Sequence, residues 1–231
     1  MKFFYYLAIL MLFVTIDLSA QTTYEILQAV DFFSINRLEK GDWKRVLTES
    51  DIEGSPYLND EFIDGDVFTT SKTKYVGLPL RYNIFNDQIE FRLEDGSVQV
   101  MTVPEVLEKV EFGETILEYS IYSNLKKVKR RFFVVLEKGN ASLYSRPMVN
   151  FEEAKKPGAY SEAKPPRFIR RPDEYYIRIG KEPAELISNK KDLEGLFSDH
   201  SEEMQEYFRK NKIKTNRTED LIKVVQYYNS L

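Results

Sequence analysis

From Glu61 to Phe151 the chain alternates apolar and polar residues with a period of two. Turn signals interrupt the alternation roughly every 8 to 15 residues, which is the signature of an antiparallel meander rather than of helices or βαβ units. In "KYVGLPLRYN", Val76, Leu78, Leu80 and Tyr82 fall on one face; in "QIEFRL", Ile89, Phe91 and Leu93 oppose Gln88, Glu90 and Arg92. Asn86-Asp87 joins these two strands, because both side chains tolerate a turn backbone and bond to it locally. Asp95-Gly96 marks the next tight turn, before "SVQVMTV". Further strands are expected at "EKVEFG", "TILEYSIY", "RRFFVVLEKG" and "ASLYSRPMVNF". Phe132 to Leu136 is apolar on both faces, so its strand belongs in the middle of the sheet. Pro79 cannot donate to a ladder, which predicts an edge or a bulge, and Asp64-Gly65 predicts a second bulge or bend. The fold class is mainly β with C-terminal α (α+β). An antiparallel β-meander forms a barrel or sandwich, and a small helical tail follows.

The flanks divide the rest. Residues 1–20 read as a signal peptide and 21–58 as an N-terminal segment with a helix from about 23 to 38. The meander occupies 59–153, a proline- and base-rich excursion 154–172, a final hairpin 173–188 and a helical segment 189–231. The excursion holds Pro157, Pro165, Pro166 and Pro172, a composition that favours extended chain over the surface. In the last hairpin Tyr175, Ile177 and Ile179 share one face. Asn189 is placed to cap a short helix through Phe197, with Asp192 near its positive end. Met204, Tyr207 and Phe208 mark a second helix. Leu221, Val224, Val225 and Tyr228 mark a third, with Thr218 as its expected cap.

Lys2 followed by the apolar run Phe3 to Ile16 and the small residues before Gln21 has the layout of a secretory signal. The run is shorter than the ~20 residues of a spanning helix, so the expectation is an exported chain without a transmembrane segment after cleavage, in the periplasm or cell exterior or peripheral at a membrane. Cysteine is absent, which removes disulfides and a lipidated N-terminal cysteine. With 33 basic and 37 acidic residues the net charge is −4, a balance that argues against a nucleic-acid binder.

His200 is the only histidine. It lies in the polar "FSDHSEE", a poor setting for the oriented base of a triad. One histidine and no cysteine nearly exclude a tetrahedral zinc site. The glycine-rich phosphate and dinucleotide loops and the nucleophile elbow are missing too, and no cofactor is expected. Asp60, Glu61, Asp64 and Asp66 are close enough to meet a calcium ion if Asp64 and Asp66 share a face; acidic gatekeepers on a solvated edge are the plainer reading. Glu90, Glu118 and Glu137 are the carboxylates from which a glycosidase pair would have to be drawn. The run "KKVKRR" is either a polyanion or lipid-headgroup contact or a solvated hairpin tip protecting the "FFVVL" strand. Candidate contacts for a ligand or partner are therefore Arg81, Tyr82, Phe91, Lys126, Lys127, Arg130 and Arg131.

The order of segments "GSPYLNDEFIDGDVF", "GLPLRYNIFNDQIEF", "KGNASLYSR", "KPPRFIRRPDEYYI", "ISNKKDLEGLF" and "EDLIKVVQYYNSL" resembles a group of secreted or periplasmic proteins of Bacteroidota-type Gram-negative bacteria, a domain of unknown function. The resemblance spans Gly54 to Leu231 and implies a compartment and an architecture, with no catalytic residue to carry over. Three readings follow: a non-enzymatic binding or scaffolding module of the bacterial envelope, with an envelope protein or lipid as partner; a carrier holding an apolar ligand in the curved sheet, lined by Tyr82, Phe91, Phe112 and Tyr119; and a carboxylate-dependent glycan hydrolase.

Overall fold

Alternation becomes strand in the computed structural model, which describes residues 52–125, 127–155 and 164–231 together with the strand at 22–24. The signal segment and most of the expected N-terminal helix lie outside the described residues. The strands are β1 (Thr22–Tyr24), β2 (Ile63–Thr69), β3 (Thr73–Asn83), β4 (Gln88–Arg92), β5 (Val98–Val100), β6 (Leu107–Phe112), β7 (Thr115–Asn124), β8 (Lys127–Glu137), β9 (Ala141–Glu152), β10 (Arg167–Ile179) and β11 (Glu185–Leu186). They form one sheet in the order β11-β10-β9-β8-β7-β6-β2-β3-β4-β5, with β1 beside β3. All pairs are antiparallel except β1 with β3. Thr23 and Tyr24, expected to begin a helix, are therefore strand residues, held by the backbone of Lys74 and Tyr75.

The mainly β meander with C-terminal helices is present, but the sheet does not close, so "barrel or sandwich" is too strict a description. Segment 53–58 crosses the gap instead, with an isolated bridge from Tyr57 to Asn83 and another from Glu53 to Arg167. β8 lies between β7 and β9, as its two apolar faces require. Phe132 enters one core cluster and Phe133 another.

Two of the four register shifts in the sheet correct the expected phase or boundaries. Opposite β2, the register slips between Gly65 and Val67, so Val76 and Gly77 of β3 face the single residue Asp66. Gly77 takes the left-handed conformation (φ 65°) that this bulge needs. As a result Tyr75, not Val76, joins Leu78, Leu80 and Tyr82 in the core. Gly65 serves by smallness, since a Cβ there would lie 2.2 Å from the Glu111 carbonyl oxygen. Pro79 sits where β3 has β2 on one side and, on the other, lies between the β1 ladder ending at Tyr75 and the β4 ladder beginning at Leu80. It occupies a local edge inside an interior strand.

The second bulge corrects the boundary of the expected excursion. β10 begins at Arg167 and pairs with β9 out to Glu152, and Lys155 and Lys164 exchange hydrogen bonds beyond that. Residues 167–171 are thus ladder. Pro172 falls within the register shift between Arg171 and Glu174, where its missing N–H costs least. The extra residue rephases the strand, so that Phe168 opposite Phe151 and Ile177 opposite Leu143 both face inward.

Three helices, α1 (Lys190–Leu196), α2 (Ser201–Asn211) and α3 (Thr218–Asn229), pack against the ends of β8, β9 and β10. The Asn189 side chain accepts from the Asp192 N–H, as its spacing predicts. Thr218 is not a cap: it is already helical, and its hydroxyl shares a hydrogen bond with Tyr175. Asp220 reaches back to the Lys214 N–H instead. At its far end α3 clamps β9, because Asn229 accepts from the Ala141 N–H and donates to its carbonyl. Leu80, Tyr82, Ile89, Phe91 and Phe112 fill the inner face of the meander, and Leu143, Ile177, Phe197, Val224 and Tyr228 continue the core beneath the helices.

Candidate functional site

The expected contact residues divide into two hairpins. At the β3–β4 hairpin, Arg81 stands directly across from Glu90. Its Nη2 donates to Glu90 Oε2 at 2.8 Å, while Nη1 reaches the Asp60 carbonyl at 3.1 Å. The Tyr57 and Phe62 rings cover the guanidinium, with centroids 3.4 and 4.4 Å from its carbon. The Asn83 side-chain amide donates to the other Glu90 oxygen. This guanidinium forms one wall of an open cleft of about 380 Å³ beside Pro56, Tyr57 and Phe168. Its charge is already answered within the fold.

Tyr82 and Phe91 point the other way and are buried in the core. The Tyr82 hydroxyl donates to Asp87 at 2.7 Å. Burial pushes this phenol far above its ordinary pKa, and the Asp87 charge adds to the rise. The same Asp87 oxygen accepts from the backbone N–H of Phe132 at 3.2 Å and faces Arg131 at 3.5 Å. Burial is the largest influence and works against the Arg131 charge, but Asp87, Tyr82 and Tyr122 together leave the guanidinium pKa raised. Arg131 Nε in turn approaches the Phe132 carbonyl at 3.4 Å. Asp87 and Arg131 together take the place of a neighbouring strand at Phe132, because β9 joins β8 only from Val134 onward. Arg131 is a structural residue.

The β7–β8 hairpin is different. β6 leaves β7 at Leu117 and β9 meets β8 only at Val134, so the residues between them pair with each other as an arm of roughly 20 Å. Tyr122 and Ser123 are braced by Ala184. Toward its tip Lys127, Lys129 and Arg130 are exposed and form no ion pair with any described residue. Lys126 lies outside the described residues. Leu125 is 93% exposed and Val128 61%, the highest values among the exposed large hydrophobic residues described. Sequence reasoning passed over both, although their signal was there: Leu125 directly precedes the basic run and Val128 interrupts it.

Four of the candidate carboxylates, Asp66, Glu90, Glu118 and Glu137, are engaged. Asp66 pairs with Lys74 and accepts from the Gly77 N–H. Glu118 accepts from the Tyr144 hydroxyl and pairs with Lys138, and Glu137 accepts from Gln226. Glu90, Glu118 and Glu137 lie on β4, β7 and β8. His200 ends a short 3₁₀ turn and stacks edge-on against Tyr228, whose hydroxyl donates to Asp199 at 2.7 Å. No group of three or more metal-ligating side chains occurs among the described residues.

Comparison with known proteins yields no match to a family model, a curated protein or a solved structure.

Proposed function

We propose that this chain is an exported, non-enzymatic binding or scaffolding module of a bacterial envelope, and that the β7–β8 arm is its docking surface. The observation that carries the reading is the tip itself: three cations without a described ion-pair partner beside two exposed apolar side chains. Monomeric domains usually bury or disperse apolar side chains, so an exposed cluster rimmed by charge is a mark of recognition. Glu90, Glu118 and Glu137 lie on separate strands and each is engaged by a donor, which favours binding over glycan hydrolysis, a reaction that needs two carboxylates facing one cleft. The inner face favours binding over carriage as well, because Tyr82, Phe91 and Phe112 are packed among core side chains and Tyr119 rests against them. No described helix is long and apolar enough to cross a membrane.

The test is native mass spectrometry of the protein recovered from the envelope of producing cells, beside a Lys127→Gln, Lys129→Gln, Arg130→Gln variant. A component bound to the parent and lost from the variant is expected. A component retained equally by both would contradict docking through the tip.

A further inference from the structure

Resting on that reading, we infer that the partner of the arm is an anionic phospholipid surface, into which Leu125 inserts while Lys127, Lys129 and Arg130 contact the headgroups. Leu125 occupies the apex of the hairpin in the left-handed conformation, with φ 49°. That conformation suits glycine or asparagine and opposes a bulky side chain. The leucine is thus unfavourable locally and, being almost fully exposed, gives nothing to the core. An apolar apex held at such a cost is explained by what it meets outside the protein. Val128 stands one step down the arm, and three cations collar the pair. Apolar tip and basic collar match the two layers of a bilayer interface, acyl boundary below and phosphate above.

The competing partner is an acidic peptide adding as a strand to β8. Phe132 directs its N–H to Asp87, away from β7, so the regular ladder turns Val128 and Arg130 outward in the same direction. Asp87 and Arg131 close that edge at Phe132. Only Val128 and Arg130 remain to hold an added strand, a minimal template, because outward-facing residues alternate along an edge. Lysines at 127 and 129 are also the residues that proteins use to discourage edge pairing. A convex tip of this kind fits a soft, flat surface better than it fits a peptide.

The absence of cysteine permits a direct test. Leu125→Cys carrying an environment-sensitive fluorophore is mixed with vesicles containing phosphatidylglycerol or with pure phosphatidylcholine vesicles. A blue shift with the first only, reversed near ~0.5 M salt, is expected. The same label at Val98→Cys, on β5, which ends the sheet order and does not pair with the arm, should not shift. Unlabelled Lys127→Gln, Lys129→Gln, Arg130→Gln should bind the anionic vesicles about 100-fold more weakly. Leu125→Asn should bind at least about tenfold more weakly while unfolding at equal or higher denaturant, because the turn prefers asparagine. A structural role for Leu125 would move those two readouts together. Equal shifts on both vesicle types, or a shift produced by soluble polyglutamate but not by vesicles, would overturn the lipid assignment. Retention by isolated envelope without vesicle binding would overturn it too and leave the docking role of the tip intact; loss of both would overturn the two readings together.

Discussion

The β3–β4 and β7–β8 hairpins carry similar side chains to opposite ends. Each combines arginine or lysine with large apolar residues, and each reads in sequence as a compact aromatic and basic motif. In the first, Arg81 is enclosed by Tyr57 and Phe62 and neutralised by Glu90. Asp87 spans the gap to β8 and secures Arg131. In the second, flanking strands withdraw, and the charges past Arg131 face solvent without a described partner. Residue type therefore does not separate a structural cation from a recognition cation. The presence of a neighbouring strand or an opposing carboxylate does. Removing the partner of a buried charge is strongly destabilising, whereas exposed cations change stability little and remain available for binding.

Substitutions can break this contrast in graded fashion. Asp87→Ala should be the most damaging, at about 3–5 kcal/mol in urea unfolding, because it strands the Arg131 charge and the Phe132 N–H and leaves alanine at φ 56°. Asp87→Asn, which tolerates that backbone, should recover part of the loss. Arg81→Ala should cost about 2 kcal/mol by removing the ring-stacked cation and leaving Glu90 with Asn83 alone among its donors here. A midpoint unchanged by Arg81→Ala would place that side chain with the tip cations and restore the cleft beside it as a binding site.

The Tyr228–Asp199 bond adds a pH signature of the committed kind. Burial, reinforced by the hydrogen bond to Asp199, pushes the Tyr228 phenol up to about 12. A raised folded pKa favours the protonated phenol, so its stabilisation is complete below the unfolded value near 10 and disappears as pH rises through about 12. The stability gap between the parent and Tyr228→Phe should therefore narrow across that window in alkaline unfolding curves. A constant gap would contradict the coupling. Smallest of all, Lys127→Gln, Lys129→Gln, Arg130→Gln should shift unfolding by no more than about 0.5 kcal/mol.

Much of the meander is legible in sequence because each strand carries its own period, and turn chemistry at Asn86-Asp87 and Asp95-Gly96 marks where the chain reverses. What period cannot supply is phase across a bulge. Val76 reads as core until Gly77 inserts an extra residue, and Pro172 hides a ladder inside a segment that reads as a loop. Asp87 shows a different limit. Its turn role is local and readable, but its bond to Phe132 joins residues 45 positions apart and depends on where β9 leaves β8. Leu125 and Val128 are visible as apolar residues at the start of a basic run and within it. Their exposure follows only once the arm is seen to lack flanking strands.

The most direct test of the contrast is co-sedimentation of the folded Lys127→Gln, Lys129→Gln, Arg130→Gln variant with isolated envelope, beside the parent chain. The parent is predicted to sediment and the variant to remain in the supernatant at an unchanged unfolding midpoint. A variant that sediments as fully as the parent would contradict the assignment of the β7–β8 arm as the docking surface.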